Sequence, residues 1–501
     1  MATRVISTST LLRDLGRWRT GVVAPATAAG ARRSARPTYV ALAESIRLLV
    51  HDGRIPLGVA LPSERDLAKA LDLSRTTITS TYALLREDGY LVSRQGSRST
   101  VALPGPAKPV GGTITSIMAS VPGLGESAVD LTCAAMAAPP PIQDAYAAAL
   151  QSLPCYLPTH GMDPVGTPVL REAIAARYAA RGLPTDPDQI LVTLGAQHAL
   201  RLLLSLLVAP GERVLIDHPT YPNGIQAVRD VGARAVPVPL HLDEPGDGWD
   251  LDGIRSAARQ TAARMAYLVP DFNNPTGRCL APAGRAELAA IGRDTRMTVV
   301  VDESMAELAL DIEPPLPVAA YARGSEIVTI GSVSKSFWGG LRVGWVRANR
   351  SLITRLLGTR SSVDLGTPVM DQLASAHLLA HPEAILDDRR ETLRARRGAL
   401  LDALAEHLPD WTVNPGPGGM SLWARLPAPV STALASTAPN FGVLLAAGPK
   451  FGGEGTFERY LRLPYTHAEA DLRRAVPQIA AAYDVVAPRA AQRPLNPMVL
   501  V

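Results

Sequence analysis

Three segments near the N-terminus place hydrophobic residues at helical spacing. They are Tyr39–Val50, Leu61–Leu71 and Ser74–Gly89, in which apolar side chains recur every three or four residues. Ser63 and Ser74 stand at the starts of the second and third segments, and a serine at this position typically caps the first turn of a helix. The pattern therefore predicts three helices, of which the last two are joined by a tight turn.

The third predicted helix is polar at its start and apolar further along. Ile78, Tyr82 and Leu85 fall on one face, which we expect to be buried, whereas the first turns carry arginine and threonine. A β-hairpin is predicted next, from Tyr90–Val92 and Ser99–Val101. Two helices joined by a tight turn, the second polar at its start, are typical of helix-turn-helix domains that enter the DNA major groove.

From about residue 129 to 484 the pattern changes to short β-branched runs that alternate with helical stretches rich in Ala, Leu and Arg. This alternation predicts an α/β fold built on a mostly parallel sheet. The runs that we interpret as strands are Ile190–Leu194, Arg213–Ile216, Met265–Val269, Thr298–Val301 and Ile327–Ile330.

Changes in composition divide the chain into five regions. The stretch 24–36 is rich in Ala and Arg, and the stretch 102–127 is rich in Pro and Gly, so neither has the apolar residues that a core needs. We therefore expect a flexible basic arm at 1–36, a winged helix at 37–101, a linker at 102–128, the α/β domain at 129–484 and a loose tail at 485–501.

The 501-residue chain is 47% hydrophobic and 19% charged, which excludes a wholly disordered protein. Residues 1–36 hold seven arginines and one aspartate, a net charge of +6, which favours contact with nucleic acid but also fits a solvated tail. Three widely spaced cysteines exclude a disulfide framework or a zinc knuckle. We expect neither a secretory leader nor a membrane helix, and therefore a cytoplasmic protein.

Residues that can hold a ligand follow the predicted strands. They therefore lie at the carboxyl ends of the strands, where parallel sheets bind ligands. Asp302 ends one strand, and Asn274 and Tyr221 follow two others. Lys335 lies in GSVSKSFWGGLRVGW, just after a further strand. These residue types suit a phosphorylated aldehyde cofactor, because a lysine amine condenses with an aldehyde and an aspartate keeps a ring nitrogen protonated. Backbone N–H groups at the start of the helix that opens with Gly195-Ala196-Gln197 suit the phosphate.

The stretch LPSERDLAKALDLSRTTITSTYALLREDGYLVSRQGSRSTV resembles the DNA-binding domain of GntR-type transcriptional regulators. The resemblance covers about Tyr39 to Val101. It implies that Arg75 reads a guanine and that Gly96 lets the hairpin, or wing, approach the minor groove. The residues that it assigns to phosphates and base edges are Arg65, Ser74, Arg75, Thr76 and Thr77.

The α/β domain is similar along its whole length to fold-type I aminotransferases, which use pyridoxal 5'-phosphate. By that resemblance Lys335 forms the Schiff base with the cofactor, Asp302 pairs with its pyridine nitrogen and Asn274 with its phenolic oxygen. Tyr221 stacks on the ring, and Arg462 holds the carboxylate of an amino acid. The resemblance assigns the phosphate to Ala196, Gln197, Ser332 and Arg342.

Two positions depart from the pattern of regulators that carry such a domain. Ser304 stands where these regulators commonly have a tyrosine that touches the phenolic oxygen. Gly161 stands where a tyrosine of the partner subunit usually reaches the phosphate, with His160 beside it as the nearest substitute. The residues that remain imply that the cofactor still binds, whereas the departures leave open whether the chain is an enzyme.

A GntR-type winged helix followed by an aminotransferase-like domain resembles the MocR/PdxR branch of bacterial regulators. The resemblance implies a head-to-tail homodimer that binds a two-half-site DNA operator. It also implies that the large domain senses pyridoxal phosphate, or an amino compound through an aldimine with it. Two alternatives remain open: an active aminotransferase with a DNA-binding head, and a regulator whose large domain no longer binds the cofactor.

Overall fold

The computed structural model describes residues 6–15, 37–51, 54–55, 59–92, 99–101, 128–243, 246–323, 326–453 and 455–491. The chain separates into an N-terminal unit, up to Ser120, and a large unit, from Val121 onward. The expected linker lies outside the described residues except for its last position, and so does Gly96 at the expected wing tip. Within the described ranges no helix is both long and apolar enough to cross a membrane.

The described part of the N-terminal unit consists of helices and a short antiparallel hairpin. Ser63 accepts a hydrogen bond from the backbone N–H of Asp66 at 3.1 Å. Ser74 accepts one from the backbone N–H of Thr77 at 3.1 Å, so both expected N-caps are confirmed. The elements are α1 (Thr8–Leu15), α2 (Thr38–His51), α3 (Glu64–Leu71), α4 (Arg75–Glu87), β1 (Leu91–Val92) and β2 (Thr100–Val101).

The buried face of α4 is the one that the sequence predicts. Ile78, Tyr82 and Leu85 are each at most 2% exposed, and they pack with α2 and α3 in one core. The hydroxyl of Tyr82 donates a hydrogen bond to the carbonyl of Pro62 at 2.9 Å, so this buried phenol has a partner. The apolar stripe therefore fixes which side of α4 is left for solvent.

Helix α1 corrects the expectation that the whole of 1–36 is a flexible arm. Leu11 and Leu15 are buried in the core of the N-terminal unit. The backbone N–H of Ile6 also donates to the carbonyl of Ala60 at 3.0 Å. Leu11 and Leu15 are one helical turn apart and therefore bury the same face of this short helix. The sequence did not indicate this packing, because the region as a whole is rich in arginine.

The large unit contains two sheets and a short parallel strand pair. Its strands are β3 (Val129–Asp130), β4 (Ile190–Thr193), β5 (Arg213–His218), β6 (Arg234–Pro239), β7 (Met265–Leu268), β8 (Thr298–Asp302), β9 (Ile327–Ser332), β10 (Gly344–Arg347), β11 (Thr412–Val413), β12 (Ser421–Arg425), β13 (Val443–Leu444), β14 (Ala446–Ala447) and β15 (Tyr460–Pro464).

The main sheet has seven strands in the order β4-β10-β9-β8-β7-β5-β6. The pairs from β9 to β6 are parallel, whereas β10 is antiparallel to both of its neighbours, so the expected mostly parallel sheet is confirmed. All five expected strands belong to it. Strands β6 and β10 were not expected from the sequence.

Helices pack on both faces of the main sheet and give it two hydrophobic cores. The α-helices of the large unit are α5 (Pro141–Ser152), α6 (Pro168–Ala180), α7 (Ala196–Leu207), α8 (Pro222–Asp230), α9 (Leu251–Thr261), α10 (Pro282–Thr295), α11 (Val333–Ser336), α12 (Arg350–Arg360), α13 (Val369–Ala380), α14 (Glu383–His407), α15 (Ser431–Thr437) and α16 (Glu469–Ala491). Short 3-10 helices lie at Leu153–Cys155, Pro187–Gln189, Val318–Tyr321, Gly339–Leu341, Ala438–Phe441 and Gly448–Phe451.

A smaller sheet in the order β11-β12-β15-β14 forms a further core with α14 and α16. Helix α16 continues to Ala491, and Val486 is only 8% exposed. The expected loose tail from 485 is therefore corrected up to residue 491, because Val486 packs into this core. Residues 492–501 lie outside the described part.

Candidate active site and nucleic-acid interface

Helix α4 presents its polar first turn to solvent. Arg75 and Thr76 are exposed, Ser74 is exposed although its hydroxyl caps the helix, and Thr77 is half-buried. Arg65 in α3 is exposed as well. Within the described residues neither guanidinium has a hydrogen-bond or ion-pair partner, so both are available to the phosphates or base edges of DNA.

Polar contacts hold α3 against α4. The hydroxyl of Thr79 donates to Glu64 Oε2 at 2.7 Å, and Arg86 lies 3.1 Å from Glu64 Oε1. These contacts keep the two helices at a fixed angle, with Arg75 as the first residue of the second helix. That arrangement is the one in which a recognition helix reads the major groove.

Lys335 lies in α11, which directly follows the carboxyl end of strand β9 in the main sheet. Its Nζ donates a hydrogen bond to the carbonyl oxygen of Ala134 at 2.7 Å. Burial lowers the pKa of the Lys335 ammonium, while nearby Cys133 raises it and Arg462 lowers it. A lowered pKa increases the fraction of neutral amine, which is the nucleophile that an aldehyde requires.

Asp302 ends β8 and is held at both carboxylate oxygens. The hydroxyl of Tyr267 donates to Oδ2 at 2.8 Å, and the backbone N–H of Ser304 donates to Oδ1 at 2.9 Å. The charge of Asp302 raises the pKa of both Lys335 and Tyr221, after the larger effect of burial in each case. The hydroxyl oxygen of Ser304 is buried and has no partner among the described residues.

Tyr221 and Asn274 follow the carboxyl ends of two other parallel strands, β5 and β7. Burial raises the pKa of the Tyr221 phenol, and its oxygen accepts a hydrogen bond from Asn223 Nδ2 at 2.9 Å. Asn274 Oδ1 is buried and, within the described part of the chain, has no hydrogen-bond partner. An unpaired buried amide oxygen is costly unless a ligand group donates to it.

The start of α7 forms a cradle for an anion. Gly195, the N-cap, has a φ of 78°, a conformation that favours glycine. Nη2 of Arg342 donates to the carbonyl of Leu194 at 3.3 Å, so the guanidinium lies beside the free N–H groups of Ala196 and Gln197. Oε1 of Gln197 is buried without a partner in the described residues. The positive end of α7 and the cation together suit a phosphate.

Ser332 ends β9, three residues before Lys335. Its hydroxyl oxygen accepts from the backbone N–H of Ser334 at 3.1 Å and lies 3.1 Å from the carbonyl oxygen of Val343. Both contacts tie the start of α11, and therefore Lys335, to the strand.

Arg462 lies on β15 and is 5% exposed. Nη2 donates a hydrogen bond to the carbonyl of Thr132, and the guanidinium carbon is 5.3 Å from the ring centre of Phe451. Burial lowers the pKa of Arg462 to about 10, so the side chain is still charged at neutral pH. Arg462 and Lys335 donate to carbonyls two residues apart, those of Thr132 and Ala134, so this candidate carboxylate clamp and the lysine hold the same backbone segment.

The charges of Asp302, Arg342 and Arg462 all act on the pKa of Lys335, and those of Asp302 and Arg342 also act on the pKa of Tyr221. His160 and Gly161 are exposed. His160 Nδ1 accepts a hydrogen bond from the backbone N–H of Met162 at 3.0 Å.

Sequence reasoning missed several residues that contact this set. Tyr267 lies inside a buried strand, where a tyrosine is normally interpreted as core, and Phe451 belongs to a short 3-10 helix. The carbonyls of Thr132 and Ala134 are backbone groups, for which the sequence carries no signal.

Comparison with known families agrees with both parts of the structure. Residues 125–479 match the family described as aminotransferase class I and II. Residues 38–101 match the family of bacterial regulatory proteins called gntR. The first match covers more than half of the chain.

Individual relatives include both transcriptional regulators and aminotransferases. The uncharacterized HTH-type transcriptional regulator YdcR of Escherichia coli (strain K12) is 28% identical over 459 residues, which are 85% of this chain and 94% of the relative. The 2-aminoadipate transaminase of Thermus thermophilus is 31% identical over 62% of this chain and 76% of its own length. The crystal structure of LysN from the same organism, an α-aminoadipate aminotransferase complexed with N-(5'-phosphopyridoxyl)-L-leucine, superposes with a TM-score of 0.67 at 26% identity. The superposition covers 76% of this chain and 96% of LysN.

Membership of the aminotransferase family implies pyridoxal phosphate as the cofactor. The residues present fit that group: a carboxylate anchored at Asp302 suits a protonated ring nitrogen, and the unpaired oxygen of Asn274 suits a ring hydroxyl. The start of α7 with Arg342 suits the phosphate. The chain therefore belongs to the aminotransferase class I and II family and carries a gntR-type helix-turn-helix domain in front of it, as transcriptional regulators of the MocR-like type do.

Proposed function

We propose that this chain is a transcriptional regulator that binds a DNA operator and senses pyridoxal phosphate, or an amino compound held together with it. The observation that carries the proposal is the coexistence of two candidate sites in one chain. An exposed recognition helix lies in one unit, and a buried set of cofactor-holding side chains around Lys335 lies in the other.

The N-terminal unit supplies DNA recognition. Arg75 is exposed in the first turn of α4 and is the candidate for bidentate contact with a guanine, and Arg65 is exposed and is the candidate for a phosphate contact. A homodimer would present two such helices, and the operator is then expected to contain two half-sites related by the symmetry of the dimer.

In the large unit each side chain has a distinct task. Pyridoxal phosphate supplies an electrophilic aldehyde on an electron-accepting ring when it is bound. Burial lowers the pKa of Lys335 and so raises the neutral fraction of its amine, and Asp302 holds a proton on the ring nitrogen. Arg342 and the start of α7 orient the phosphate. Arg462 binds the carboxylate of an amino compound. The site then recognises an amino acid through its carboxylate, at Arg462, and through its amino group, at the cofactor.

An absorption spectrum tests the cofactor half of the proposal. Full-length protein with pyridoxal phosphate is expected to show a visible band that borohydride reduces to a stable adduct, whereas Lys335→Ala shows neither. Lys69→Ala, an exposed lysine of the N-terminal unit, is the matched control and keeps the band. A reducible adduct that persists in Lys335→Ala would overturn the assignment.

The sensing half is tested by DNA binding. Fluorescence anisotropy is measured on an operator that the protein selects from random-sequence DNA, with and without pyridoxal phosphate and with a panel of amino acids. The proposal expects at least one of these compounds to change the operator affinity. An affinity that ignores all of them, in protein that shows the visible band, would contradict sensing.

An active aminotransferase is the second candidate, and buried Arg462 supports it, because an intact carboxylate clamp is what an amino-acid substrate needs. Turnover of amino donors with keto acids separates this candidate from the regulator. Protein that binds DNA but shows no visible band would instead leave the large unit without a cofactor role.

A further inference from the structure

A cavity with about 520 Å³ of empty space, part of it open to solvent, borders the candidate active site. Its walls come from the end of β9, from α11, and from helices α6, α13 and α14. Among the described residues that line it, only Ser332 belongs to the set assigned to the cofactor. The cavity is therefore a space of its own and not a part of the cofactor site.

Asp302 and Glu303 are consecutive residues with different surroundings. Asp302 accepts a hydrogen bond from the hydroxyl of Tyr267 at the cofactor site, whereas Glu303 Oε2 accepts one from Arg181 Nη1 at 2.8 Å in the lining of the cavity. The backbone N–H of Glu303 donates to the carbonyl of Ile330 at 2.8 Å, so the pairing of β8 with β9 continues through this residue. Successive side chains of an extended chain leave it on opposite sides, which explains why the two carboxylates serve different spaces.

The ion pair of Arg181 and Glu303 leaves one atom of each side chain without a partner. Nη2 of Arg181 and Oε1 of Glu303 are buried and make no hydrogen bond within the described part of the chain. The Glu303 side chain is 1% exposed, so bulk water does not solvate its carboxylate. A buried donor and a buried acceptor without partners are costly. The pair therefore favours a group that accepts from Arg181 and donates to Glu303.

The second ion pair in the lining is already complete. Arg177 donates to the two carboxylate oxygens of Glu307 at 2.9 and 2.8 Å, and to Glu383 at 2.8 Å. The lining thus holds two arginines and two glutamates, whose formal charges cancel. A charged ligand would be buried there without a counter-ion of its own, which is costly. The balance of charge favours a neutral ligand.

Most of the remaining lining is apolar. It includes Ile174, Trp345, Leu379 and Leu386. The indole N–H of Trp345 already donates to the hydroxyl of Tyr178 at 3.0 Å, so Trp345 offers its ring rather than a free donor. Small-molecule sites typically combine such apolar walls with a few polar groups that fix the orientation of the ligand.

We propose that this cavity is a second small-molecule site, which binds a neutral carboxamide on a small apolar or aromatic body. The amide oxygen accepts from Arg181 Nη2, the amide N–H donates to Glu303 Oε1, and the body packs against the apolar walls. The site is additional to the cofactor site, and the proposal does not depend on the proposed function.

Benzamide is the probe, and saturation-transfer difference NMR on full-length protein measures its dissociation constant. We expect a value of about 1 mM or lower, which is within the affinity that a ligand of this size can reach. Benzoate, benzylamine and toluene have the same ring but carry an anion, a cation or no polar group, and each is expected to bind at least tenfold more weakly. Weaker binding of benzamide than about 1 mM would mean that the cavity holds water only, and equal binding of any of the three analogues would refute the proposed class of ligand.

Glu303→Gln tests the polar contacts by a change of preference rather than a loss. The substitution removes the negative charge beside Arg181 and lets the glutamine amide donate where the carboxylate accepted. The variant is expected to bind benzoate more tightly than benzamide, the reverse of the order in wild type. A variant that keeps the preference of wild type would overturn the assignment of the amide to Glu303.

Leu379→Trp tests the location by filling the cavity with a larger side chain. Benzamide binding is expected to weaken at least tenfold in this variant. Leu365→Trp makes the same change at an exposed leucine that is not in the lining, and it is expected to leave the affinity unchanged. Benzamide that binds Leu379→Trp and Leu365→Trp equally would place its site elsewhere in the protein and overturn the proposal.

Discussion

The hydroxyl of Tyr267 donates a hydrogen bond to Oδ2 of Asp302 at 2.8 Å, and both side chains are buried. Together with the backbone N–H of Ser304, this contact fixes the plane of the carboxylate that faces the cofactor site. Tyr267 comes from β7 and Asp302 from β8, so the contact connects two neighbouring strands of the main sheet. Tyr267 thus acts as a positioning residue for Asp302.

Replacing Tyr267 with Phe is expected to weaken pyridoxal phosphate binding roughly tenfold, since a hydrogen bond to a charged group contributes about 1.5–3 kcal/mol. Titration of the visible band measures the effect. Tyr146→Phe is the matched control, because it removes a phenol whose hydrogen bond goes to Asp371 at 2.6 Å rather than to a candidate site residue. Equal cofactor affinity in wild type and Tyr267→Phe would show that Tyr267 does not position Asp302.

Replacing Arg462 with Gln is expected to raise the dissociation constant for N-(5'-phosphopyridoxyl)-L-leucine by about 10- to 100-fold, the range for loss of a charge-assisted hydrogen bond. The affinity for pyridoxal phosphate alone, which has no such carboxylate, is expected to be unchanged. Calorimetry on both ligands measures the pair. A parallel loss for the two ligands would mean that Arg462 supports the site as a whole rather than the carboxylate.

Stability is expected to depend on pH through Asp217, which is 1% exposed. Burial raises the pKa of Asp217 from 3.8 to about 7, although Val269 and Trp249 donate hydrogen bonds to its oxygens. Between these values the folded state binds the proton more tightly than the unfolded state, so stability falls as pH rises from about 4 to about 7.

Urea unfolding of wild type and Asp217→Asn at several pH values isolates this contribution. The difference in the free energy of unfolding is expected to shift against wild type by up to roughly 4 kcal/mol across that range. Asp230→Asn, an exposed substitution in α8, controls for the change of residue type. A difference that does not vary with pH would contradict the raised pKa of Asp217.

Replacing Arg75 with Ala is expected to cost about 1–3 kcal/mol at the base that it contacts and to relax sequence preference there. Anisotropy on the selected operator and on variants with single base changes measures both effects. Arg259→Ala, an exposed arginine of the large unit, serves as the control. An operator affinity that is unaffected by Arg75→Ala would remove this residue from base recognition.

Much of the fold follows from local signals in the sequence. Ser63 and Ser74 cap their helices through contacts within three residues, and the five expected strands are short runs rich in apolar and β-branched residues. Strand β6 was missed because it contains Pro237 and Pro239, which are tolerated since this strand lies at the sheet edge. Strand β10 was missed because its glycine-flanked sequence is typical of a loop until β4 and β9 pair with it.

The candidate site was predictable where side chains follow strands in a known order. Lys335 and Asp302 were found in this way: Asp302 ends one strand of the main sheet, Lys335 lies in the helix that directly follows another, and the charge of Asp302 acts on the pKa of Lys335. Tyr267 was not found, because a tyrosine in a buried strand carries the same sequence signal whether or not its hydroxyl meets a carboxylate. The hydrogen bond from Lys335 to the carbonyl of Ala134 depends on a fold that brings residue 134 to residue 335, and no local pattern encodes that distance.

Helix α1 has a consequence for how DNA-reading heads are exchanged between regulators. The gntR match begins at residue 38, yet Leu11 is fully buried in the same core, and Asp14 pairs with Arg54 at 3.2 Å. A graft cut at the start of the family match would leave a hole where Leu11 belongs. The hydrophobic core, rather than the family match, therefore sets where a transferable DNA-binding domain begins. That core includes Leu11 and Leu15, which precede the residues that match the gntR family.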